Sequence, residues 1–489
     1  MSNDSKKQIL KATSIIGGTQ FITILIGIVR TKILAVLLGP FGVGVAGMLQ
    51  SIIDLVRNIT GFGLNFSAVK DVAESDASNN IKKLNETITV LRNLVFWTGL
   101  LGTFLTIILA KPLSNFTFGN SDYVLSVVYL SITLLLTSVT GGQIALLQGK
   151  REIKLMAKAT LYGAIYSTAI SIVVYYIFGI QGIVPVLILT SLIPLIFSWY
   201  YSRKIKFESQ RISFKDTISK GFGMAKLGFF IVVTGFMATL TLYIIRVIIV
   251  DKMNIEAVGF FQASWMISTT YVGIIINSML SDFFPRLSAI NSDNEMSNKL
   301  INEQLEIALV LGTPMILTLI ATTEILIKVL YSSSFLSTTT ILQWQLFGAF
   351  FTLISWPLSV LFLAKNKGIF CIIIDGVWSS LFLAIVYFGW SYFGFKILGI
   401  GDAIAIFSKL FLVYFLVRKI GNFKFSVKNV KNILIYGLFA VLMIINVTFV
   451  ESCTQYVLSL IFILVVGIRS LLTLNQIYHF RDKFKFYKF

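Results

Sequence analysis

The stretch GIVRTKILAVLLGPFGVGVAGMLQSIIDLVRNITG, residues 27–61, decides how the rest of the chain is read. It is apolar for most of its length and contains LLGPFG, a tight turn between the outer end of one membrane helix and the start of the next. Yet it carries Arg30, Lys32, Asp54 and Arg57. A charge at the centre of a membrane helix costs about 2.5–3.5 kcal/mol even on lenient insertion scales, so charges held there serve a purpose.

Working outward, the whole chain has the same apolar character. Of its 489 residues 56% are hydrophobic and 13% charged, with a mean hydropathy of +0.85. Runs of twenty or more apolar residues recur throughout, which marks an all-α polytopic membrane protein. Seven prolines, two cysteines and no long polar stretch leave no room for a sizeable extramembrane domain. Cys371 and Cys453 fall near opposite ends of their helices, so neither a disulfide nor a metal site is expected.

About fourteen transmembrane helices are expected from runs of roughly 20–28 apolar residues. The first six are 10–38, 42–67, 86–110, 122–148, 155–178 and 182–202. Six more follow at 221–249, 255–283, 302–330, 338–364, 368–393 and 399–418, then a final pair near 431–450 and 454–474. Alternate loops hold about 29 Lys and Arg against 4 on the other side, which places both termini in the cytoplasm. Positive-inside topology accounts for most of the +19 net charge, so nucleic acid is not an expected partner.

The opening helix pair recurs after a basic loop. Arg30 precedes Gly44 by 14 positions, and Arg246 precedes Gly259 by 13. ILAKPLSNFTFGNSDY (108–123) parallels ILIKVLYSSSFLSTTT (325–340), and LLQGKRE (146–152) parallels FLAKNKG (362–368). The expected organisation is therefore an N-terminal six-helix lobe (1–203), a basic linker (204–220), a C-terminal six-helix lobe (221–420), and an extra helix pair with a basic tail (421–489). Both lobes start on the same side, so they are related by a pseudo-two-fold along the membrane normal, and such lobes enclose a cavity.

Polar residues fall on single helix faces. Gly47, Gln50, Asp54, Arg57, Gly61 and Asn65 recur at intervals of three and four, as do Gly17, Gln20, Thr23, Gly27 and Arg30. Gln262, Thr269, Gly273 and Asn277 repeat the pattern, and Gly228, Gly235, Thr239 and Arg246 do so more weakly. Small residues alone also suit helix–helix packing, but packing does not explain the arginines. Arg30, Arg57 and Arg246 are read as cavity lining, with Gln20, Gln50, Asp54, Gln262 and Asn277 beside them; Asp54 and Arg57, three apart, are able to pair. Lys32, two residues from Arg30 and on nearly the opposite face, is expected to snorkel to the outer headgroups, and Arg469 to snorkel likewise. Asp375, with Trp378 a turn away, and Asp282 are candidate ion-coupling positions, the competing reading being a pair with a basic side chain. His479, in the aromatic and basic tail, reads as part of an interfacial anchor.

Enzyme signatures are missing: no phosphate-cradling GxxxxGK[ST], no clustered His and Cys, and no Ser/His/Asp set at one depth. No cofactor is expected beyond the membrane potential and an H+ or Na+ gradient.

The ordered series RTKILAVLLGPFGVGVAGMLQSIIDLV, GFGLNF, FGNSDY, VGFFQASWMIS, FPRLSAI and LQWQLFGAFF resembles the O-antigen and lipid-linked oligosaccharide flippases (Wzx type) of the multidrug/oligosaccharidyl-lipid/polysaccharide exporter superfamily. The resemblance covers about the first 420 residues; the last helix pair departs from a twelve-helix pattern. It implies a bacterial inner-membrane flippase that moves a polyprenyl-diphosphate-linked glycan, such as an O-antigen repeat for lipopolysaccharide, to the outer leaflet by alternating access. It also implies membrane lipids, a polysaccharide polymerase and a chain-length regulator as partners. Arg30 and Arg57 match cavity arginines of such flippases, and Arg246 the basic position opening the second lobe. Two rivals predict different residues. A cation-coupled multidrug exporter calls for an acidic, aromatic cavity, and a membrane polysaccharide polymerase for a large outer loop or a catalytic cluster.

Overall fold

The computed structural model describes residues 3–78, 80–208, 210, 212–450 and 453–478, and the His479 tail lies outside them; Asn65 and residues 218–229, Gly228 among them, are described in backbone only. Among the described residues every regular element is helical. Eleven stretches are long and apolar enough to cross a membrane, and three of these, Ile15–Thr60, Ile153–Ser202 and Ile369–Gly421, are 46, 50 and 53 residues long. At 1.5 Å per residue they would extend ~70–80 Å, more than twice the ~30 Å hydrocarbon core, so each contains two spans. They break at Gly39, at the 3-10 turn Gly179–Gly182 and at Gly394–Lys396. Counted this way, the described residues hold fourteen helical stretches long enough to span, the number that the apolar runs lead one to expect.

The helices group into two compact units, residues 1–259 with 330–332, and residues 260–329 with 333–489. The first contains α1 (Asn3–Thr60), α2 (Leu64–Ala77), α3 (Ile81–Ile108), α4 (Ala110–Phe118), α5 (Val124–Leu130), α6 (Ile132–Gly149), α7 (Ile153–Phe178), α8 (Ile183–Ser202), α9 (Phe214–Lys252) and the first turn of α10 (Ile255–Ala289). Gly39 has φ 64°, a conformation that side chains resist, and Pro40 then restarts the helix with its missing N–H at no cost. α1 stops at Thr60, where Phe62 and Gly63 turn left-handed, so the stripe that begins at Gly47 ends at Arg57 and does not continue to Asn65.

Small residues set the spacing in this unit. A Cβ on Gly149 would lie 2.7 Å from Val72 of α2, and one on Gly142 2.9 Å from Val95 of α3. Leu64, Val72, Ile88, Leu91 and Leu146 fill the core beneath, and Lys150 pairs with Asp76 at 2.6 Å. α1 and α10 cross at their glycines. A Cβ on Gly44 would strike the Ile255 carbonyl, and one on Gly259 would strike the Pro40 carbonyl; each is 3.1 Å from the other glycine's nitrogen.

The second unit holds the rest of α10 with α11 (Asn294–Ala321), α12 (Thr323–Leu330), α13 (Thr339–Ala364), α14 (Ile369–Phe393), α15 (Ile397–Gly421), α16 (Val427–Phe449) and α17 (Cys453–Tyr478). The expected span 302–330 is two helices, broken at Thr322. Phe283, Leu287, Ile301, Leu361, Phe362 and Phe423 form its core. The final pair packs on α11 and α13. Asn302 clasps its start, accepting from Ser426 N at 2.8 Å and from Asn429 Nδ2 at 3.0 Å, while Lys428 pairs with Glu306 at 2.6 Å.

The internal repeat is visible in the backbone. Arg151 and Asn366, 215 positions apart, both have φ 55° and close the same turns: Glu152 N bonds Leu147 O and Lys367 N bonds Phe362 O. Gly179 and Gly394, again 215 apart, have φ 55° and 54° and each opens a 3-10 turn between paired helices. Gly44 and Gly259 have the same separation.

Candidate functional site

The second half of α1 has one apolar face and one polar face. Met48, Leu49, Ile52, Ile53 and Val56 are buried, which leaves Gln50, Asp54 and Arg57 on the other side. Gln50 Nε2 donates to Asp54 Oδ1 at 3.1 Å, and Arg57 Nη2 lies 2.9 Å from the same oxygen. The side chains of Asp54 and Arg57 keep 31% and 48% of their exposure. A charged pair is costly against hydrocarbon, so this face is suited to water or a polar ligand rather than to lipid.

α9 completes the group. Asn58 Nδ2 donates to Thr239 Oγ1 at 2.8 Å and fixes α9 against α1. Two turns along α9 from Thr239, Arg246 is buried and lies within electrostatic range of Asp54. Asp54 is therefore paired with one guanidinium, that of Arg57, and feels the charge of a second, that of Arg246. Arginine cannot shed its proton and presents a planar fork of donors, which suits a phosphate or diphosphate better than a metal or a cation. Among the described residues no group of three His, Cys, Asp or Glu side chains is placed to hold a metal.

The other candidates lie elsewhere. Gln20 and Arg30 are exposed on the first half of α1, beyond the Gly39 break, and Arg30 is within electrostatic range of Tyr175 on α7. In the second unit Gln262 is half-buried and Asn277 exposed on α10, where Asp282 pairs with Arg286 at 3.0 Å. Asp375 Oδ1 accepts from Lys409 Nζ at 2.7 Å.

Several contacts differ from the expectation. Lys32 donates to the backbone carbonyl of Tyr331 rather than simply snorkelling. Arg469 donates to Asn432 Oδ1 at 2.8 Å and lies over the Tyr436 ring, so it braces the final helix pair. The Trp378 indole, a turn from Asp375, instead donates to Asp402 Oδ1 at 3.1 Å, and Asp402 is 4% exposed. Helical spacing placed Trp378 correctly on its own helix, but only the packing of α14 on α15 selects its acceptor.

The sequence profile of the polysaccharide biosynthesis proteins matches residues 33–340, well over half of the chain. The chain belongs to the polysaccharide biosynthesis protein family. The matched region of this family member spans the whole of the α1–α9 group from Gln50 to Arg246. It is 22% identical over 397 residues to the lipid III flippase of Escherichia coli (strain K12), covering 80% of this chain and 92% of that protein. Its fold is that of lipid II flippase MurJ in an inward closed conformation (TM-score 0.72, 15% identity, 94% of this chain and 98% of that one). A multidrug resistance MATE family transporter of the MOP superfamily, inward-facing, is also similar in fold (TM-score 0.68, 12% identity, 84% and 98%).

Proposed function

We propose that this polysaccharide biosynthesis protein is a flippase that carries a polyprenyl-diphosphate-linked glycan, of the O-antigen repeat class, from the cytoplasmic to the outer leaflet of a bacterial plasma membrane. The observation that carries the reading is the exposed Asp54–Arg57 pair with Arg246 within electrostatic range of it, a net cationic group on the polar face of α1. Asp54 pairs with Arg57 while the site is empty, and a diphosphate offers the arginines more oxygens than one carboxylate does. The lipid tail stays in the bilayer while the polar head passes across the arginine-bearing face.

The family membership and the flippase named among its relatives support a transporter rather than an enzyme. With both termini cytoplasmic and the cytoplasm negative, moving a doubly charged anion outward is downhill by about 4–5 kcal/mol per 100 mV. No ATP is required. Deleting the gene in the native host tests the reading: the surface glycan should vanish while its lipid-linked precursor accumulates at the inner leaflet. Normal surface glycan with lost drug efflux would instead return the chain to the multidrug exporters.

A further inference from the structure

The second unit holds a groove that the arginine site does not use. It lies among α13, α15 and α16, with a volume of about 880 Å³ and an almost wholly apolar lining. Its wall is a run of rings. Phe347 meets Phe351 at 5.2 Å, Phe351 meets Phe407 at 4.8 Å, and Phe407 meets Phe411 at 4.8 Å. Tyr414 and Phe425, stacked at 5.0 Å, close one end, and Trp344 lies among the lining residues towards the other. On α16 the floor is opened by Gly437, where a Cβ would sit 3.6 Å from the Phe350 ring.

Two features of this groove specify its occupant. Along α15 it runs from Ala403 to Tyr414, about 16 Å at 1.5 Å per residue. That is close to the hydrocarbon depth of a single leaflet, about half of ~30 Å, and far short of an extended polyprenyl chain. At the Tyr414 end the groove faces continue into cations. Arg418 is one turn beyond Tyr414 on α15, and Lys431 is one turn before Leu434 on α16; both are exposed. Neither makes a salt bridge among the described residues, whereas the neighbouring Lys428 is held by Glu306. Both belong to the loops rich in Lys and Arg, the side on which anionic lipids are recognised by basic pockets between helices.

We propose that this groove is a binding site for an anionic phospholipid: one acyl chain lies along the Phe347–Phe411 wall and the headgroup phosphate sits between Arg418 and Lys431. The site is separate from the arginine group on α1 and α9, and it does not depend on the proposed transport reaction. Each cation near a membrane surface contributes about a fivefold preference for an anionic lipid, so the pair gives roughly 30-fold.

The test uses the full chain in phosphatidylcholine vesicles, with a small fraction of brominated phosphatidylglycerol or brominated phosphatidylcholine quenching tryptophan fluorescence. Brominated phosphatidylglycerol should quench at about 30-fold lower mole fraction. Trp344→Phe should remove this component, identifying it among the seven tryptophans. Arg418→Gln with Lys431→Gln should abolish the headgroup preference and leave the unspecific quenching. Gly437→Leu, which fills the groove and raises helix propensity, should weaken quenching by both lipids. Equal quenching by the two headgroups, or a preference that survives the double variant in a folded protein, overturns the proposal. So does complete displacement of the brominated lipid by an equal fraction of polyprenyl phosphate, which would make the groove a carrier-lipid site.

Discussion

Asp54 Oδ1 accepts a hydrogen bond from Gln50 and forms an ion pair with Arg57 at 2.9 Å, so one carboxylate oxygen organises the polar face of α1. The pair is partly exposed, and its value to stability is correspondingly small. Its consequence is positional: Arg57 is held by a partner that an incoming anion is able to replace.

Arg57→Ala should lower glycan export by roughly 10–100-fold, the loss of one or two charge-assisted bonds to a diphosphate. Protein level in the membrane should be unchanged. Quantitative surface-glycan staining beside an immunoblot checks both, and full export by this variant would remove Arg57 from the site.

Arg246→Lys should behave nearly as poorly as Arg246→Gln. A lysine keeps the charge near Asp54 but loses the fork that grips two oxygens at once. Measuring precursor accumulation for the two variants side by side separates geometry from charge. Restoration of export by lysine would mean that charge alone suffices.

Gly44→Ala and Gly259→Ala should each destabilise the protein by about 1–3 kcal/mol, because each new methyl lands on a backbone carbonyl of the facing helix. Gly27→Ala, on the same helix α1 but with nothing within 4 Å of its Cβ, should be neutral or slightly stabilising. Thermal unfolding in detergent compares the three.

Asp375→Asn should cost more stability than the double change Asp375→Asn with Lys409→Gln. The single variant strands an ammonium within the helix pair α14–α15, and the double variant leaves two neutral groups that bond each other. A coupling of about 0.5–3 kcal/mol is expected from a double-mutant cycle. Additive effects would mean the 2.7 Å contact contributes nothing.

What the sequence makes legible is the face of each helix. The three-residue spacing of Asp54 and Arg57 reads directly as a contact, and fourteen spans follow from apolar length alone. The partner helix is another matter. Nothing in the spacing of α9 places Thr239 on Asn58, and nothing in α14 sends Trp378 to Asp402 rather than keeping it beside Asp375. A long cation near a helix end has a cheap route to water, so from sequence Lys32 and Arg469 read as headgroup anchors. A carbonyl of Tyr331 and the amide of Asn432 are nearer in space, though remote in the chain.

The crossing of Gly44 with Gly259 couples two positions that are far apart in the chain. The two residues occupy the same place in the repeat, and each takes the other's backbone as its neighbour. One turn away the corresponding residues differ, Pro40 in one copy and Ile255 in the other. At the crossing itself neither glycine is free to change alone, because a side chain added to either helix has to be accommodated by the backbone of the other.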